Sequence, residues 1–183
     1  MKRLAVYCGS ATPADPTYIE GARALGLAFA KRGIGLVYGG GRTGLMGAIA
    51  DGALEGGGEV IGVIPQALVD AEVAHRGLTE LHVVQGMHQR KQMFTDLSDG
   101  FVTIPGGTGT MDELWEAMSW AQLGYHAKPV ALLNVGGFYD GLVSFVAHQR
   151  AEGFVRAEHA GLMMVETTPE AVVRRLQAAA APA

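Results

Sequence analysis

The segment from residue 105 to residue 116, PGGTGTMDELWE, combines residue types that could hold an anion and act on it. Its glycines allow the backbone to aim N–H groups at a ligand, and its two threonines add hydroxyl groups. The segment also predicts the start of a helix, whose positive end suits a phosphate. It lacks the lysine of the phosphate-binding pattern G-x-x-x-x-G-K-[ST], so we expect an anion site of a different design.

The same residues also have a purely structural interpretation. Thr110 and Glu113 have the spacing of a capping box, in which Thr110 is the N-cap and the Glu113 carboxylate reaches back to it. In that interpretation Asp112 only complements the helix dipole. From this segment alone, capping and catalysis both remain open.

A cationic pair, Arg90–Lys91, lies in GMHQRKQMF, which predicts the opening turns of another helix. Cations are slightly unfavourable there because they oppose the positive end of the helix dipole. A bound anion would offset that cost, since Arg offers a planar fork and Lys a point charge for phosphate or carboxylate. Solvated surface charge is the alternative interpretation of the pair.

The elements that position these residues alternate between strand and helix. Short apolar runs rich in β-branched residues predict strands at 4–8, 34–38, 59–65, 80–85, 100–105, 129–134 and 161–166. Helical patterns fill the gaps at 18–32, 45–55, 87–97, 111–123, 138–151 and 169–179. This alternation predicts an α/β fold, a three-layer Rossmann-like open parallel sheet with helices on both faces. We expect residues 1–183 to form one such domain.

The predicted topology brings distant loops together. Loops that follow parallel strands open at the same carboxyl edge of the sheet, where ligands bind. Three glycine-bearing loops would meet there, namely CGSA with Ser10, GGGRTG with Gly40, and PGGTGT. The helix that carries Arg90 and Lys91 begins at the same edge, so the pair would lie near PGGTGT.

The second of these loops contains G-x-G-x-x-G at Gly39, Gly41 and Gly44. A dinucleotide site would place this motif after the first strand and an acidic residue at the end of the next one. Here the motif follows the second strand, and Glu59 opens its strand instead of ending it. We therefore do not expect NAD or FAD. Close approach of a nucleotide or sugar to the backbone, or simply a tight turn, would explain the glycines.

Composition narrows the classes of function further. The formal net charge is −4 with no basic block, which disfavours a nucleic-acid partner. No segment predicts a transmembrane helix or a secretion signal, so we expect no membrane partner. The single cysteine, Cys8, allows no internal disulfide and favours the cytoplasm; burial at a strand end explains it better than a nucleophilic role. The six histidines show no metal-ligand spacing, so no metal site is expected.

Taken together, these motifs strongly resemble the LONELY GUY family, the cytokinin riboside 5′-monophosphate phosphoribohydrolases that are often mislabelled lysine decarboxylases. The signature P-G-G-x-G-T-x-x-E is complete from Pro105 to Glu113, and VYCGS, LVYGGGRTGLMG and VIGVIPQAL extend the resemblance to nearly the whole chain. The resemblance implies hydrolysis of the N-glycosidic bond of AMP or N6-modified AMP, which releases free base and ribose 5-phosphate. It also implies a nucleoside 5′-monophosphate as the small-molecule partner, no cofactor, and a homodimer.

The resemblance implies roles for individual residues as well. Arg90 and Glu113 match the catalytic pair, Glu72 matches an acidic substrate contact, and Ser119 stands where plant members tend to carry a threonine. With the loop residues, the expected substrate-binding set is Ser10, Gly40, Glu72, Arg90, Lys91, Gly106, Gly107, Thr108, Gly109, Thr110, Met111, Asp112, Glu113 and Ser119. Thr108 replaces an aromatic residue of plant members and Asp112 a glutamate. Both departures leave the preferred base open.

Two rival functions and one structural alternative stay open. A pyridoxal-phosphate decarboxylase needs a Schiff-base lysine, and none of the four lysines lies in a recognisable cofactor motif. A carrier could bind a nucleotide or the molybdenum cofactor without chemistry, but retention of both Arg90 and Glu113 favours catalysis. In the helix segment WEAMSWAQLGYH, Trp115, Met118 and Trp120 fit either core packing or a dimer contact.

Overall fold

The computed structural model describes residues 1–69, 74–159 and 161–180, and within these ranges seven strands form one sheet. All the pairings are parallel, in the order β4-β3-β2-β1-β5-β6-β7. The strands are β1 (Arg3–Tyr7), β2 (Gly35–Tyr38), β3 (Val60–Pro65), β4 (Glu80–Val84), β5 (Phe101–Thr103), β6 (Val130–Leu133) and β7 (Met163–Glu166). The predicted open parallel sheet is confirmed.

Six α-helices in the described ranges cover the two faces of the sheet. They are α1 (Pro16–Ala30), α2 (Gly44–Glu55), α3 (Met87–Leu97), α4 (Thr108–Leu123), α5 (Asp140–Ala151) and α6 (Pro169–Ala179). One apolar core joins α1, α2 and α6 to the sheet, and a second core joins α3, α4 and α5 to its other face. The predicted three layers are therefore confirmed. None of the described helices combines the length and apolarity needed to cross a membrane.

Strand burial explains why the apolar runs in the sequence do not alternate. Every residue of β2, β3, β5 and β6 is buried, because helices cover the sheet on both sides. β1 lies between β2 and β5, so the chain builds one half of the sheet outward from β1 and then returns to build the other half. The helices that follow β1 and β5, α1 and α4, therefore lie on opposite faces of the sheet, and a crevice opens between them at the carboxyl edge.

Helices α1 and α2 pack in close contact on one face of the sheet. A Cβ atom at Gly26 of α1 would lie 2.2 Å from the carbonyl oxygen of Ile49 and 2.7 Å from the nitrogen of Ala53, both on α2. These neighbours are backbone atoms, which cannot move without shifting the whole helix. Gly26 is therefore required by the packing of the two helices.

A buried tyrosine after β6 anchors the end of β5. The Tyr139 hydroxyl donates a hydrogen bond to the carbonyl oxygen of Ile104 over 2.9 Å, just before PGGTGT. The Tyr139 N–H donates to the side-chain oxygen of Asn134, whose amide donates in turn to Asp140. Burial, and to a lesser extent Cys8, raises the pKa of Tyr139, so the hydroxyl remains a donor at neutral pH.

We predict that Tyr139→Phe lowers the free energy of unfolding by about 1–2 kcal/mol, because the buried Ile104 carbonyl loses its partner. Tyr18→Phe is the control. The substitution removes a hydroxyl but keeps the ring, which packs edge-on against Phe138 with the ring centres 5.6 Å apart. It should change the free energy by less than about 0.5 kcal/mol. Urea denaturation measures both; equal effects would show that the Tyr139 hydrogen bond contributes nothing.

Candidate active site

A cleft of about 420 Å³ opens at the carboxyl edge of the sheet, beside the loops that follow β1 and β5. The loop after β1, the turn after β3 and the first turns of α2, α3 and α4 all contribute to its walls. The lining residues are Cys8, Gly9, Ser10, Ala11, Met46, Leu68, Met87, Arg90, Gly107, Thr108, Gly109, Thr110 and Glu113. The topology thus brings the predicted pair, Arg90 and Glu113, into one cavity although they belong to different helices.

Helix α4 begins earlier than the sequence pattern suggested. Its N-cap is Gly107, whose carbonyl oxygen accepts the N–H of Met111 over 3.1 Å, and no side chain caps the helix. The predicted capping box is therefore wrong. Thr110 lies inside the first turn, because the glycines let the chain enter the helix three residues sooner. As a result, Glu113 sits in the second turn, where it cannot cap the helix start.

Glu113 is buried in the wall of the cleft, with 7% of its surface exposed. Beneath it, the Tyr7 ring packs against Phe94 and Phe101. Burial raises the pKa of Tyr7 well above its usual value, and the charges of Glu113 and Glu116 raise it further. The tyrosine therefore stays neutral, so the Glu113 carboxylate has an uncharged phenol near it.

The start of α4 offers the cleft a set of backbone donors. The first N–H groups of a helix have no partner within the helix, and the first residues, Thr108, Gly109 and Thr110, line the cleft. No acidic side chain lies in this first turn, so the positive end of the helix dipole is not compensated there. These features are those of an anion-binding helix terminus.

The glycines of PGGTGT serve two different purposes. A Cβ atom at Gly106 would lie 2.1 Å from the Thr110 hydroxyl oxygen and 2.8 Å from the nitrogen of Gly9. Gly106 therefore lets the loops after β1 and β5 pack together, and the Gly9 N–H donates to the Pro105 carbonyl over 3.1 Å. A Cβ atom at Gly107 or Gly109 would meet nothing within 4 Å. Those two glycines instead leave open space beside the cleft.

Arg90 is almost completely buried, with 2% of its surface exposed. One terminal nitrogen, Nη2, donates to the carbonyl oxygen of Gly39 over 3.1 Å. The guanidinium lies over the ring of Phe94, 5.6 Å from its centre, and Nη1 lies 4.0 Å from the sulfur of Met87. A cation at this position can attract an anion bound in the cleft that Arg90 and Glu113 both line.

Lys91 does not line the cleft; it joins α3 to α4. Its Nζ atom lies 2.8 Å from Glu116 and 3.1 Å from Asp112. Burial would lower the pKa of Lys91, but the hydrogen bonds to Glu116 and Asp112 outweigh that effect and raise it. The predicted contact of Lys91 with a phosphate would therefore require this ion pair to rearrange.

The remaining predicted residues are more dispersed. Ser10 lines the cleft. Gly40 does not; it has a φ of +78°, and its carbonyl oxygen accepts a hydrogen bond from the His75 N–H over 2.9 Å. Met111 and Asp112 lie on faces of α4 that do not line the cleft, and Ser119 lines a separate groove farther along the helix. Glu72 lies outside the described residues.

Three apolar lining residues were not predicted, namely Met46, Leu68 and Met87. Met46 and Met87 lie in the first turns of α2 and α3, and Leu68 lies in the turn after β3. Their position at the carboxyl edge was the only available signal. Among the described residues, no group of three or more His, Cys, Asp or Glu side chains is arranged to hold a metal ion. All four lysines lie in the described ranges, and none lines the cleft.

Comparison with known proteins shows which proteins this chain is similar to. A family model described as "Possible lysine decarboxylase" matches residues 46–176. The chain is 44% identical to the cytokinin riboside 5′-monophosphate phosphoribohydrolase LOG of Oryza sativa subsp. japonica, over 96% of this chain and 73% of the relative. It is 46% identical to the cytokinin riboside 5′-monophosphate phosphoribohydrolase of Rhodococcoides fascians, over 84% of this chain and 78% of the relative.

Solved structures share the fold at lower sequence identity. The molybdenum cofactor carrier protein from Chlamydomonas reinhardtii superposes with a TM-score of 0.74 at 24% identity, over 97% of this chain and 98% of that one. The molybdenum cofactor binding protein from Rippkaea orientalis superposes with a TM-score of 0.73 at 21% identity, over 97% and 96%. At these identities the likeness extends to the fold alone.

We predict that Gly106→Ala destabilises the protein by about 1–3 kcal/mol, since the new methyl group overlaps Gly9 backbone and the short Thr110 side chain. Gly107→Ala is the matched control in the same loop. It should leave the free energy of unfolding within about 0.5 kcal/mol of the wild-type value, because its methyl group meets open space. Urea denaturation of the two variants checks the assignment, which is contradicted if Gly107→Ala is the more destabilised.

Proposed function

The chain belongs to the LONELY GUY family of cytokinin riboside 5′-monophosphate phosphoribohydrolases, and from this premise we propose how its cleft works. The enzyme hydrolyses the N-glycosidic bond of adenosine 5′-monophosphates, including N6-modified forms, and releases free base and ribose 5-phosphate. One observation carries the proposal for the site. Arg90 and Glu113, from two different helices, line one cleft together with the uncapped start of α4.

The 5′-phosphate binds at the start of α4. The backbone N–H groups of residues 108–110 and the hydroxyl of Thr108 provide donors, and Ser10 adds a hydroxyl from the opposite wall. Gly107 and Gly109 allow the phosphate to approach the backbone closely, because no side chain occupies that space. Phosphate binding energy then holds the ribose at the carboxyl edge, in the orientation that hydrolysis requires.

Hydrolysis breaks the bond between N9 of the base and C1′ of the ribose. The transition state resembles an oxocarbenium ion, as in the hydrolysis of O-glycosides. Water adds to C1′, the base leaves with the bonding electron pair, and protonation completes its release. The Glu113 carboxylate either stabilises the positive charge at C1′ or activates the water. Arg90 holds the phosphate, orients Glu113 or assists the departing base.

Decarboxylation with pyridoxal phosphate, which the description of the matching family model suggests, finds little support in this site. A Schiff base needs a lysine beside the reacting carbon, and no lysine lines the cleft. Lys91 is held by Glu116 and Asp112, and the raised pKa keeps its amine charged. The Lys128 ammonium donates to the carbonyl oxygen of Thr95.

The carrier alternative also has less support than hydrolysis. The molybdenum cofactor proteins share only the fold with this chain, at 21–24% identity. The relatives at 44% and 46% identity are both named phosphoribohydrolases. Turnover distinguishes the two functions, because a carrier binds a nucleotide without breaking it.

The cellular setting follows from simpler properties. One cysteine, Cys8, suits the reducing cytoplasm, where we place the enzyme. A net charge of −4 without a basic block disfavours nucleic acid as a partner. The partner that the cleft fits is a small nucleoside 5′-monophosphate.

An apolar groove between α4 and α5 is the surface where a second copy of the chain binds. Leu123 and Phe154 line it and are 66% and 82% exposed. Ser119 lines the same groove, although its position in the family implies a substrate contact. A partner bound in this groove would contact Ser119 as well as Leu123 and Phe154.

We predict that the wild-type protein releases free base and ribose 5-phosphate from AMP and from N6-isopentenyl-AMP. Glu113→Gln should lower the rate by at least about 100-fold, because the amide can neither activate water nor stabilise positive charge. Glu20→Gln on the exposed surface of α1 is the control and should leave the rate unchanged. Chromatography of the products gives the rates. Tight binding of both nucleotides without cleavage would favour the carrier function instead.

We predict that the protein is a dimer in solution and that Leu123→Glu or Phe154→Glu converts it to a monomer. Each substitution buries a carboxylate in the apolar contact, which strongly disfavours association. Val83→Glu is the control, because Val83 is 46% exposed on β4, at the opposite end of the sheet. Light scattering after size exclusion measures the masses. A wild-type monomer, or a dimer that tolerates both groove substitutions, would contradict the proposed contact.

A further inference from the structure

The glycine-rich loop after β2 has no role yet in the proposed reaction. Among the described residues that line the cleft, Gly39, Gly40 and Gly41 are absent. The dinucleotide interpretation also fails, because Glu59 lies at the amino edge of the sheet and pairs with Arg3 over 2.7 Å. The glycines of this loop therefore serve contacts within the protein, and the contact of Gly39 differs from the others.

Gly39 lies directly against the guanidinium of Arg90. Its carbonyl oxygen accepts the hydrogen bond from Nη2 over 3.1 Å, and a Cβ atom on the same residue would lie only 2.2 Å from Nη2. The guanidinium therefore occupies the space where any other residue would carry its side chain. The backbone does not impose glycine here, since Gly39 is not among the residues with positive φ.

The other side of the guanidinium is also confined. The ring of Phe94 lies 5.6 Å from it, and Tyr7 packs against that ring with centroids 5.7 Å apart. Arg90 is thus held between an aromatic ring and the backbone of Gly39, with almost no exposed surface. A guanidinium so confined has one orientation, and that orientation depends on the space that Gly39 leaves.

We propose that Gly39 is a positioning residue for catalysis, which acts by fixing the guanidinium of Arg90 relative to the cleft. Gly39 itself does not touch the substrate. The inference rests on the proposed hydrolase function, in which Arg90 is one of the catalytic pair. It gives the loop after β2 a specific part in the reaction, through a hydrogen bond between residues 51 positions apart.

The identity of the overlapping atoms predicts what a methyl group at Gly39 would displace. The nearest atoms are Nη2 of Arg90 and, at 2.9 Å, the terminal carbon of Met46. Both are the ends of flexible side chains, so they move and the backbone stays in place. At Gly26 the overlapping atoms are backbone, so the same substitution there disturbs the packing of α1 and α2 instead.

The two substitutions should therefore have opposite effects. We expect Gly39→Ala to lower kcat/KM for AMP by about 10- to 100-fold. Displacing a catalytic group by about 1 Å can reduce the rate by about that much. The melting temperature of Gly39→Ala should fall less than that of Gly26→Ala, because only the ends of two side chains are displaced. Gly26→Ala should lower the melting temperature clearly and keep kcat/KM of the folded protein within about twofold. A reversed pattern, or an unfolded Gly39→Ala protein, would overturn the proposal.

A double-mutant cycle tests whether the effect passes through Arg90. In an Arg90→Ala background the methyl group at Gly39 has no guanidinium to displace. Gly39→Ala should then change kcat/KM by no more than about twofold, although it is costly in the wild-type background. If the reductions in kcat/KM of the two single variants simply multiply in the double variant, Gly39 acts independently of Arg90 and the inference is wrong.

A spectroscopic measurement separates this inference from the hydrolase proposal. The Nε–Hε NMR signal of Arg90, identified by its absence in Arg90→Lys, should shift in Gly39→Ala and stay in place in Gly26→Ala. An unshifted signal in Gly39→Ala overturns the positioning role, whatever the activity. If the signal shifts but the wild type releases no base from either nucleotide, the positioning of Arg90 holds and the hydrolase function fails.

Discussion

The burial of one arginine at the carboxyl edge of the sheet constrains much of the surrounding structure. An arginine side chain keeps its charge inside a protein, so its guanidinium needs hydrogen bonds and polarisable neighbours to offset the loss of water. For Arg90 these include the carbonyl of Gly39 and the ring of Phe94. The end of β2 and the start of α3 are therefore held in one arrangement, so Arg90 is already positioned in the cleft wall before a ligand arrives.

The glycines around the cleft divide into those that serve the protein and those that face the ligand. Gly39 and Gly106 make room for Arg90 and for the packing of two loops, whereas Gly107 and Gly109 border open space. A sequence motif cannot separate these roles, because Gly39 stands among the other glycines of GGGRTG, and Gly106 stands beside Gly107 and Gly109 in PGGTGT. The distinction matters for the proposed function, since only the second group leaves open space for a phosphate beside the start of α4.

Similarity to other proteins supports the function at two different levels. The fold is shared with molybdenum cofactor carriers at 24% identity or less, which leaves the chemistry open. The sequence is shared with phosphoribohydrolases at 44% and 46% identity, and the cleft contains the arginine and the glutamate that the family signature carries. The choice between carrier and enzyme therefore depends on the site and not on the architecture.

The sequence by itself determined the succession of strands and helices along the chain, the parallel sheet and the position of Arg90 near PGGTGT at one edge. These follow from local apolar patterns and from the rule that loops after parallel strands share an edge, so no knowledge of packing was needed. Tertiary structure decided the rest. In the structure the N-cap of α4 is Gly107 instead of Thr110. Lys91 forms ion pairs with Glu116 and Asp112, and Gly39 lies against Arg90. Each of these depends on which atoms meet when distant segments pack, and steric contact of that kind leaves no periodic signal in the chain.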